Sequence, residues 1–170
     1  GGDGGFMPYS RVKEYLLPLT TDPELSHIRN VRVASRALTY DPQLIIKSTY
    51  DNTLGLFKQL IENGIQMVWM WHFSAPKELM KLTTIAAIRR LRATGMTVKS
   101  QSPIMKHISL FPDKNGGIDI DKSAQNWIDL GHVLMMLGVG FHSMYYARPT
   151  GEHHYFTAPL ADINKVFRKI

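Results

Sequence analysis

The sequence predicts an α/β fold built around a parallel sheet. Two patterns alternate along the 170 residues: apolar positions at helical spacing, and short runs rich in valine and isoleucine. Segment 66–73 is almost wholly apolar, which is typical of a strand buried on both faces. Strict alternation of helix and strand favours β/α units, in an open or a closed sheet. A complete eight-fold barrel takes about 250 residues, so four strands would form a partial barrel.

The first half of the chain shows clear helix and strand signals. A helix is expected over 10–17, where Ser10 is a candidate N-cap. Alternating β-branched residues predict a strand over 28–35. A second helical stripe covers 53–63, and Gly64 supplies its C-terminal stop before the buried strand.

The second half continues the alternation. Proline, glycine and polar clusters mark the boundaries between its elements. The expected elements are a helix over 76–94, a strand over 96–101, a loop over 111–117, a helix over 121–137, a strand over 139–147 and a helix over 159–170.

Composition excludes several classes of protein. Hydrophobic residues make up 44% and charged residues 20%, as in ordinary globular domains. Apolar runs stay well short of the ~20 residues of a membrane-spanning helix. Cysteine is absent, so these residues provide no disulfide, thiolate metal site or cysteine nucleophile. Because the chain starts at Gly1 without an initiator methionine, we expect it to be a piece of a longer protein.

The net charge of +6 raises the question of nucleic-acid binding, but the basic residues are scattered. The densest group is Arg89, Arg90 and Arg92, on an expected amphipathic helix. No aromatic residues interleave with them as a base-stacking surface requires. The pattern favours a solvated helix face, and a preference for anionic small molecules stays open.

Chemistry in parallel α/β folds collects at the carboxyl ends of strands. Four candidates fit that position: Asp3 in the glycine-rich start, His72, Gln101 and Arg148. Asp3 could pair with an ammonium group, and an arginine such as Arg148 can hold a carboxylate or phosphate. Each candidate also has a structural alternative. Asp3 could lie in a turn, and His72 could be a hydrogen-bonded core histidine. Gln101 could be an ordinary polar loop residue, and Arg148 could form a surface ion pair.

Several motifs occur together in one order along the chain. They are Gly1-Gly2-Asp3, Val-Arg-Val-Ala-Ser-Arg at 31–36, His-Phe-Ser-Ala-Pro at 72–76 and Gln-Ser-Pro-Ile-Met-Lys at 101–106. A tyrosine-rich strand followed by Glu, His and Phe closes the series over 144–156. In this order and spacing the chain resembles the radical SAM enzymes of the lysine 2,3-aminomutase family.

The resemblance implies a partial (β/α)6 barrel, entered at the end of strand 2 and followed through helix 6. Residues 1–170 would then be a radical SAM barrel core that is incomplete at both ends. Family members cleave S-adenosylmethionine reductively with a [4Fe-4S] cluster held by Cys-x3-Cys-x2-Cys, a motif expected upstream of Gly1. The 5′-deoxyadenosyl radical takes a substrate hydrogen, and pyridoxal phosphate carries the amino group from C2 to C3.

The resemblance also implies the setting of the enzyme and its site residues. It predicts a cytoplasmic isomerase that takes an amino acid and receives electrons from a donor such as flavodoxin or ferredoxin. No nucleic-acid or membrane partner is expected, and the oligomeric state stays open, with a homo-oligomer among the alternatives. Gly1, Gly2 and Asp3 match the motif that meets the methionine ammonium of S-adenosylmethionine. His72 and Gln101 match positions beside the same cofactor.

The chain departs from the family pattern at two places. Lysine aminomutases carry Cys-Asp after the tyrosine-rich strand, where this chain has Ala147-Arg148. Because an arginine repels lysine and favours an anionic side chain, we expect that lysine is not the substrate. The usual Gly-Val-Asn-Asp is replaced at 107–112. The lysine segment for pyridoxal phosphate is expected beyond Ile170, so that cofactor stays open.

Two other functions remain possible at this point. One is a barrel lyase or aldolase for anionic small molecules, with Lys99 as its lysine candidate at a strand end. The other is a non-catalytic, barrel-like binding domain that has lost the cluster.

Overall fold

The computed structural model of the protein describes residues 3–148 and 150–170. These residues divide into two compact units. The first unit extends up to Trp71 and includes Met80–Lys99, and the second comprises His72–Leu79 and Ser100–Ile170. Strand β3 (Thr97–Ile104) starts in the first unit and ends in the second.

The first unit contains two further strands, β1 (Asn30–Ser35) and β2 (Gln66–Trp71). They pair in parallel, from Asn30 opposite Gln66 to Ser35 opposite Trp71, and β3 follows β2 in the sheet. The α-helices of this unit are α1 (Tyr9–Leu16), α2 (Pro18–Thr21), α3 (Ala37–Tyr40), α4 (Pro42–Ile46), α5 (Asp51–Glu62) and α6 (Leu82–Arg92). Its 3-10 helices are Gly4–Phe6, Pro23–Leu25 and Ser48–Tyr50.

The second unit holds the end of β3, which neighbours β6 (Gly140–Tyr146) in the sheet. A short antiparallel pair, β4 (Phe111–Pro112) and β5 (Ile118–Asp119), precedes the long helix of the unit. The α-helices are α7 (Ile120–Met136) and α8 (Leu160–Phe167). Two 3-10 helices cover Pro76–Glu78 and Gly151–Phe156.

The central strand β2 explains why the fold forms around segment 66–73. Every residue of β2 after Gln66 is buried, which confirms the prediction of a strand covered on both faces. Trp69 packs edge-on against Phe57 of α5, with ring centroids 6.4 Å apart. The indole N–H of Trp71 donates to the Thr39 hydroxyl at 2.7 Å. Aromatic side chains therefore attach the helices of the first unit to its sheet.

The mixed α/β class and the parallel four-stranded sheet confirm the prediction made from the alternating pattern. Gly64 and Gly95 follow α5 and α6 with φ of +84° and +90°. This left-handed conformation is unfavourable for other residues, which is why glycine ends both helices. In the part of the chain that the structure describes, no helix has the length and apolarity needed to cross a bilayer.

Several element boundaries differ from the prediction, including these three. Helix α1 begins at Tyr9 after Pro8, so Ser10 is not its N-cap. The single helix expected over 76–94 is a 3-10 turn followed by α6, because Lys81 between them is extended. Residues 111–117 are not all loop, since β4 lies there.

The fourth difference concerns Arg90, which is not on a solvated face. Its guanidinium donates to the backbone oxygens of Ile45 at 2.8 Å and Lys47 at 3.1 Å, and also to that of Ile46. It pairs with the Asp51 carboxylate as well. Because α4 ends at Ile46, the carbonyls of Ile45 and Ile46 lack partners within that helix, and Arg90 satisfies them. The Lys47 oxygen also accepts the backbone N–H of Tyr50 at 3.0 Å.

Replacement of Arg90 by alanine leaves those carbonyls without their charged donor. We expect Arg90→Ala to lower the free energy of unfolding by about 2 kcal/mol, as for hydrogen bonds to a charged group. The exposed Arg89 on the same helix is the matched control, and Arg89→Ala should change stability by less than about 0.5 kcal/mol. Urea unfolding measures both values, and equal losses would show that Arg90 does not stabilise the end of α4.

Candidate functional site

The carboxyl end of β1 holds a group of polar contacts around one carboxylate. We call it the Asp3 cluster, and it consists of Asp3, Gly5, Ser35, Arg36 and Tyr50. Oδ1 of Asp3 accepts hydrogen bonds from the backbone N–H of Gly5 at 3.0 Å and from the Ser35 hydroxyl at 2.5 Å. Oδ2 accepts from the backbone N–H of Arg36 at 2.7 Å. The carboxylate thus links the start of the described chain to the end of β1.

The contacts leave Asp3 with unused binding capacity. A carboxylate offers about four acceptor positions, two on each oxygen. Described residues occupy three of them, and the position that they leave open is on Oδ2. Asp3 is half-buried, and no lysine, arginine or histidine among the described residues forms an ion pair with it. A half-buried anion with an open acceptor position is chemically suited to a cationic ligand group.

Gly5 makes the close packing of this cluster possible. A Cβ at Gly5 would overlap the Ser35 hydroxyl and lie 2.9 Å from the Ala37 Cβ. At Gly5 the structure shows a close approach by the protein's own chain, at the point where β1 is followed by α3.

Tyr50 also stabilises the turn that contains Gly5. Its hydroxyl donates to the backbone oxygen of Gly5 at 3.1 Å, and its side chain is buried. Burial raises the pKa of Tyr50 above its ordinary value, and the negative charge of Asp3 raises it further. The phenol therefore keeps its proton and remains a hydrogen-bond donor at neutral pH.

His72 lies in the second unit, directly after the last residue of β2, as predicted. It is half-buried, and its ring meets Tyr145 of β6 edge-on, with centroids 5.6 Å apart. The Tyr145 hydroxyl is 3.4 Å from Nδ1 of His72. The following residues are held by Asn126 of α7, whose side-chain amide donates to the backbone oxygen of Ser74 at 3.0 Å. The imidazole is thus placed by fixed neighbours.

Gln101 is not at the end of its strand, which corrects the prediction. Strand β3 continues through Pro103 to Ile104, so Gln101 lies within it. It is half-buried, whereas its neighbours Ser100 and Ser102 are fully buried and share a hydrogen bond of 2.7 Å. Lys99 lies still earlier in β3, which removes the strand-end lysine that a barrel lyase or aldolase needs.

Arg148 follows the last residue of β6 by two positions and is exposed. Within the described part of the chain it forms no ion pair, so the alternative of a surface salt bridge finds no support there. Its guanidinium is available to an anionic group.

The structure thus gathers part of the predicted set. In the first unit Asp3 is hydrogen-bonded to Ser35, and Tyr50 is hydrogen-bonded to the backbone oxygen of Gly5 in the same cluster. In the second unit His72 contacts Tyr145. Gly1 and Gly2 lie outside the described residues. Sequence reasoning did not single out Ser35, Tyr50 or Tyr145. Ser35 lies in the motif at 31–36 and Tyr145 in the tyrosine-rich motif at 144–156, and those two motifs were the available signals.

The residues present fit the two expected cofactor groups differently. The open acceptor position on Asp3 suits an ammonium, such as that of an amino acid or of S-adenosylmethionine. Iron–sulfur clusters are held mainly by cysteine thiolates, and the sequence has no cysteine. No group of three His, Asp or Glu side chains in the described ranges could hold a metal either. These residues do not fit a cluster.

Comparison with known proteins gives one informative similarity. No protein-family model matches the chain. The chain is 27% identical over 163 residues to a curated protein of Aquifex aeolicus (strain VF5) named "Putative L-lysine 2,3-aminomutase". The alignment covers 95% of this chain and 39% of that protein, so the chain spans about two fifths of the relative's length. The similarity supports the lysine aminomutase-like relationship that the ordered motifs predicted.

Proposed function

We propose that the chain forms part of the core of a radical SAM enzyme of the aminomutase type. The observation that carries the proposal is the similarity to an aminomutase over 95% of the chain. In this proposal the parallel strands and their helices belong to a partial (β/α)6 barrel, and residues 1–170 are its core, incomplete at both ends. The reaction is the migration of an amino group from C2 to C3 of an amino acid.

The Asp3 cluster supports the binding of S-adenosylmethionine. When bound and reductively cleaved, this cofactor supplies the 5′-deoxyadenosyl radical that removes a substrate hydrogen. Asp3 would accept a hydrogen bond from the methionine ammonium through the open position on Oδ2. The carboxylate is pre-oriented by three donors, so little rotational freedom is lost on binding. Gly1 and Gly2, next to Asp3, would contribute backbone contacts.

His72 and Gln101 would lie beside the same cofactor in this proposal. The His72 ring is already fixed by Tyr145, which suits a binding role. The Gln101 amide can both donate and accept, although it projects from within β3 rather than from its end.

The [4Fe-4S] cluster requires ligands that this chain does not contain. In the proposal they come from another part of the protein, as does the lysine for pyridoxal phosphate if that cofactor is used.

Arg148 would select the substrate. Its exposed guanidinium after β6 favours an anionic side chain and repels an ε-ammonium. We propose an acidic amino acid such as glutamate, rather than lysine, as the substrate class.

Cofactor cleavage tests the proposed function. The full-length protein, reconstituted with iron and sulfide under anaerobic conditions, should form 5′-deoxyadenosine from S-adenosylmethionine and dithionite. Asp3→Asn removes the negative charge that faces the ammonium and should lower the rate by at least about tenfold. Chromatography of the products measures both rates.

Asp22 provides the matched control for this experiment. Like Asp3, it accepts the backbone N–H two residues later, at 2.9 Å, and caps a 3-10 helix. Asp22→Asn should retain the wild-type rate. Absence of 5′-deoxyadenosine from a protein with an assembled cluster would exclude the proposed activity and favour a non-catalytic binding domain.

Substrate selection by Arg148 is tested with two amino acids. We expect the full-length enzyme to rearrange glutamate faster than lysine, and Arg148→Asp to shift the ratio of kcat/KM towards lysine by at least about tenfold. Arg89→Asp makes an equal charge change at an exposed position of α6 and should leave the ratio of kcat/KM values unchanged. Faster turnover of lysine by the unaltered enzyme would contradict the assignment of Arg148.

A further inference from the structure

Ser35 occupies a central position in the Asp3 cluster. It is the last residue of β1, and its side chain is buried. Its oxygen accepts the backbone N–H of Ala37 at 2.9 Å, while its proton goes to Oδ1 of Asp3. Because a serine hydroxyl has one proton, the bond to Ala37 and the bond to Asp3 together fix its direction.

The Ser35 hydroxyl makes the two oxygens of Asp3 unequal. With Ser35 and Gly5 both donating to Oδ1, that oxygen has used its two acceptor positions. Among the described residues Oδ2 accepts only the Arg36 N–H, so the open position lies on Oδ2. Without the Ser35 hydroxyl each oxygen would have one open position, and an ammonium could bind at either of them.

We propose that Ser35 is a positioning residue that orients the Asp3 carboxylate towards the ammonium of the cofactor's methionine moiety. This inference rests on the proposed function. Ser35 itself does not need to contact the ligand, because it acts through Asp3. Its removal should weaken binding of ligands that carry the ammonium and leave other ligands unaffected.

Two adenosine thioethers separate positioning from a general structural effect. S-adenosylhomocysteine carries the amino acid group with its ammonium and carboxylate, whereas 5′-methylthioadenosine has the same adenosine and sulfur without that group. In isothermal titration of the full-length protein, Ser35→Ala should raise the Kd of S-adenosylhomocysteine by about tenfold. The Kd of 5′-methylthioadenosine should stay unchanged.

Ser123 provides the control for loss of a buried serine. It is buried in α7, and its oxygen accepts the backbone N–H of Phe111 at 2.9 Å, which matches the bond from Ala37 to Ser35. Ser123→Ala should change neither Kd. If Ser35→Ala fails to fold, Ser35→Cys, which keeps a weak donor of similar shape, should give the same selective loss at smaller size.

Asp3→Asn distinguishes failure of this inference from failure of the proposed function. If Asp3→Asn selectively weakens S-adenosylhomocysteine but Ser35→Ala weakens both ligands equally or neither, Ser35 is only structural and the inference is wrong. If Asp3→Asn itself leaves the ratio of the two Kd values unchanged, Asp3 does not bind the ammonium, and its role in the proposed function fails.

Discussion

The first unit depends on the hydrogen bonds of one carboxylate. Asp3 joins its own turn at Gly5 to the end of β1 at Ser35 and the start of α3 at Arg36. A half-buried carboxylate needs such donors, because unpaired charge is costly to remove from water. Gly5 allows the turn to approach Ser35, and the Tyr50 hydroxyl holds the turn by donating to the backbone oxygen of Gly5. The same contacts that satisfy the charge leave a single acceptor position open.

Structural and binding roles therefore coincide in this cluster. Replacement of Asp3 or Ser35 affects the stability of the turn as well as the binding of any ligand. Stability measurements alone therefore do not reveal a binding role. A binding role is revealed by comparing ligands with and without the amino acid group that carries the ammonium. In the second unit His72 shows a related arrangement, since its ring is placed by Tyr145 and the segment after it by Asn126. In each case a polar side chain beside the end of a strand is held by its neighbours.

The sequence predicts the elements better than the contacts between them. The apolar run of β2 and the glycines after α5 and α6 are local signals, and the structure confirms them. Gln101 was misplaced because the predicted strand ended at residue 101, whereas β3 continues through Pro103 to Ile104. The capping role of Arg90 and the pairing of His72 with Tyr145 depend on chain segments that are distant in sequence. Periodicity and spacing do not contain that information.

A crystal structure of the full-length protein with S-adenosylmethionine tests the central claim most directly. The account predicts that the methionine nitrogen lies within hydrogen-bonding distance of Oδ2 of Asp3, while Oδ1 still accepts from Gly5 and Ser35. A cofactor bound without contact to Asp3, or a carboxylate turned so that Ser35 no longer donates to it, would contradict the account.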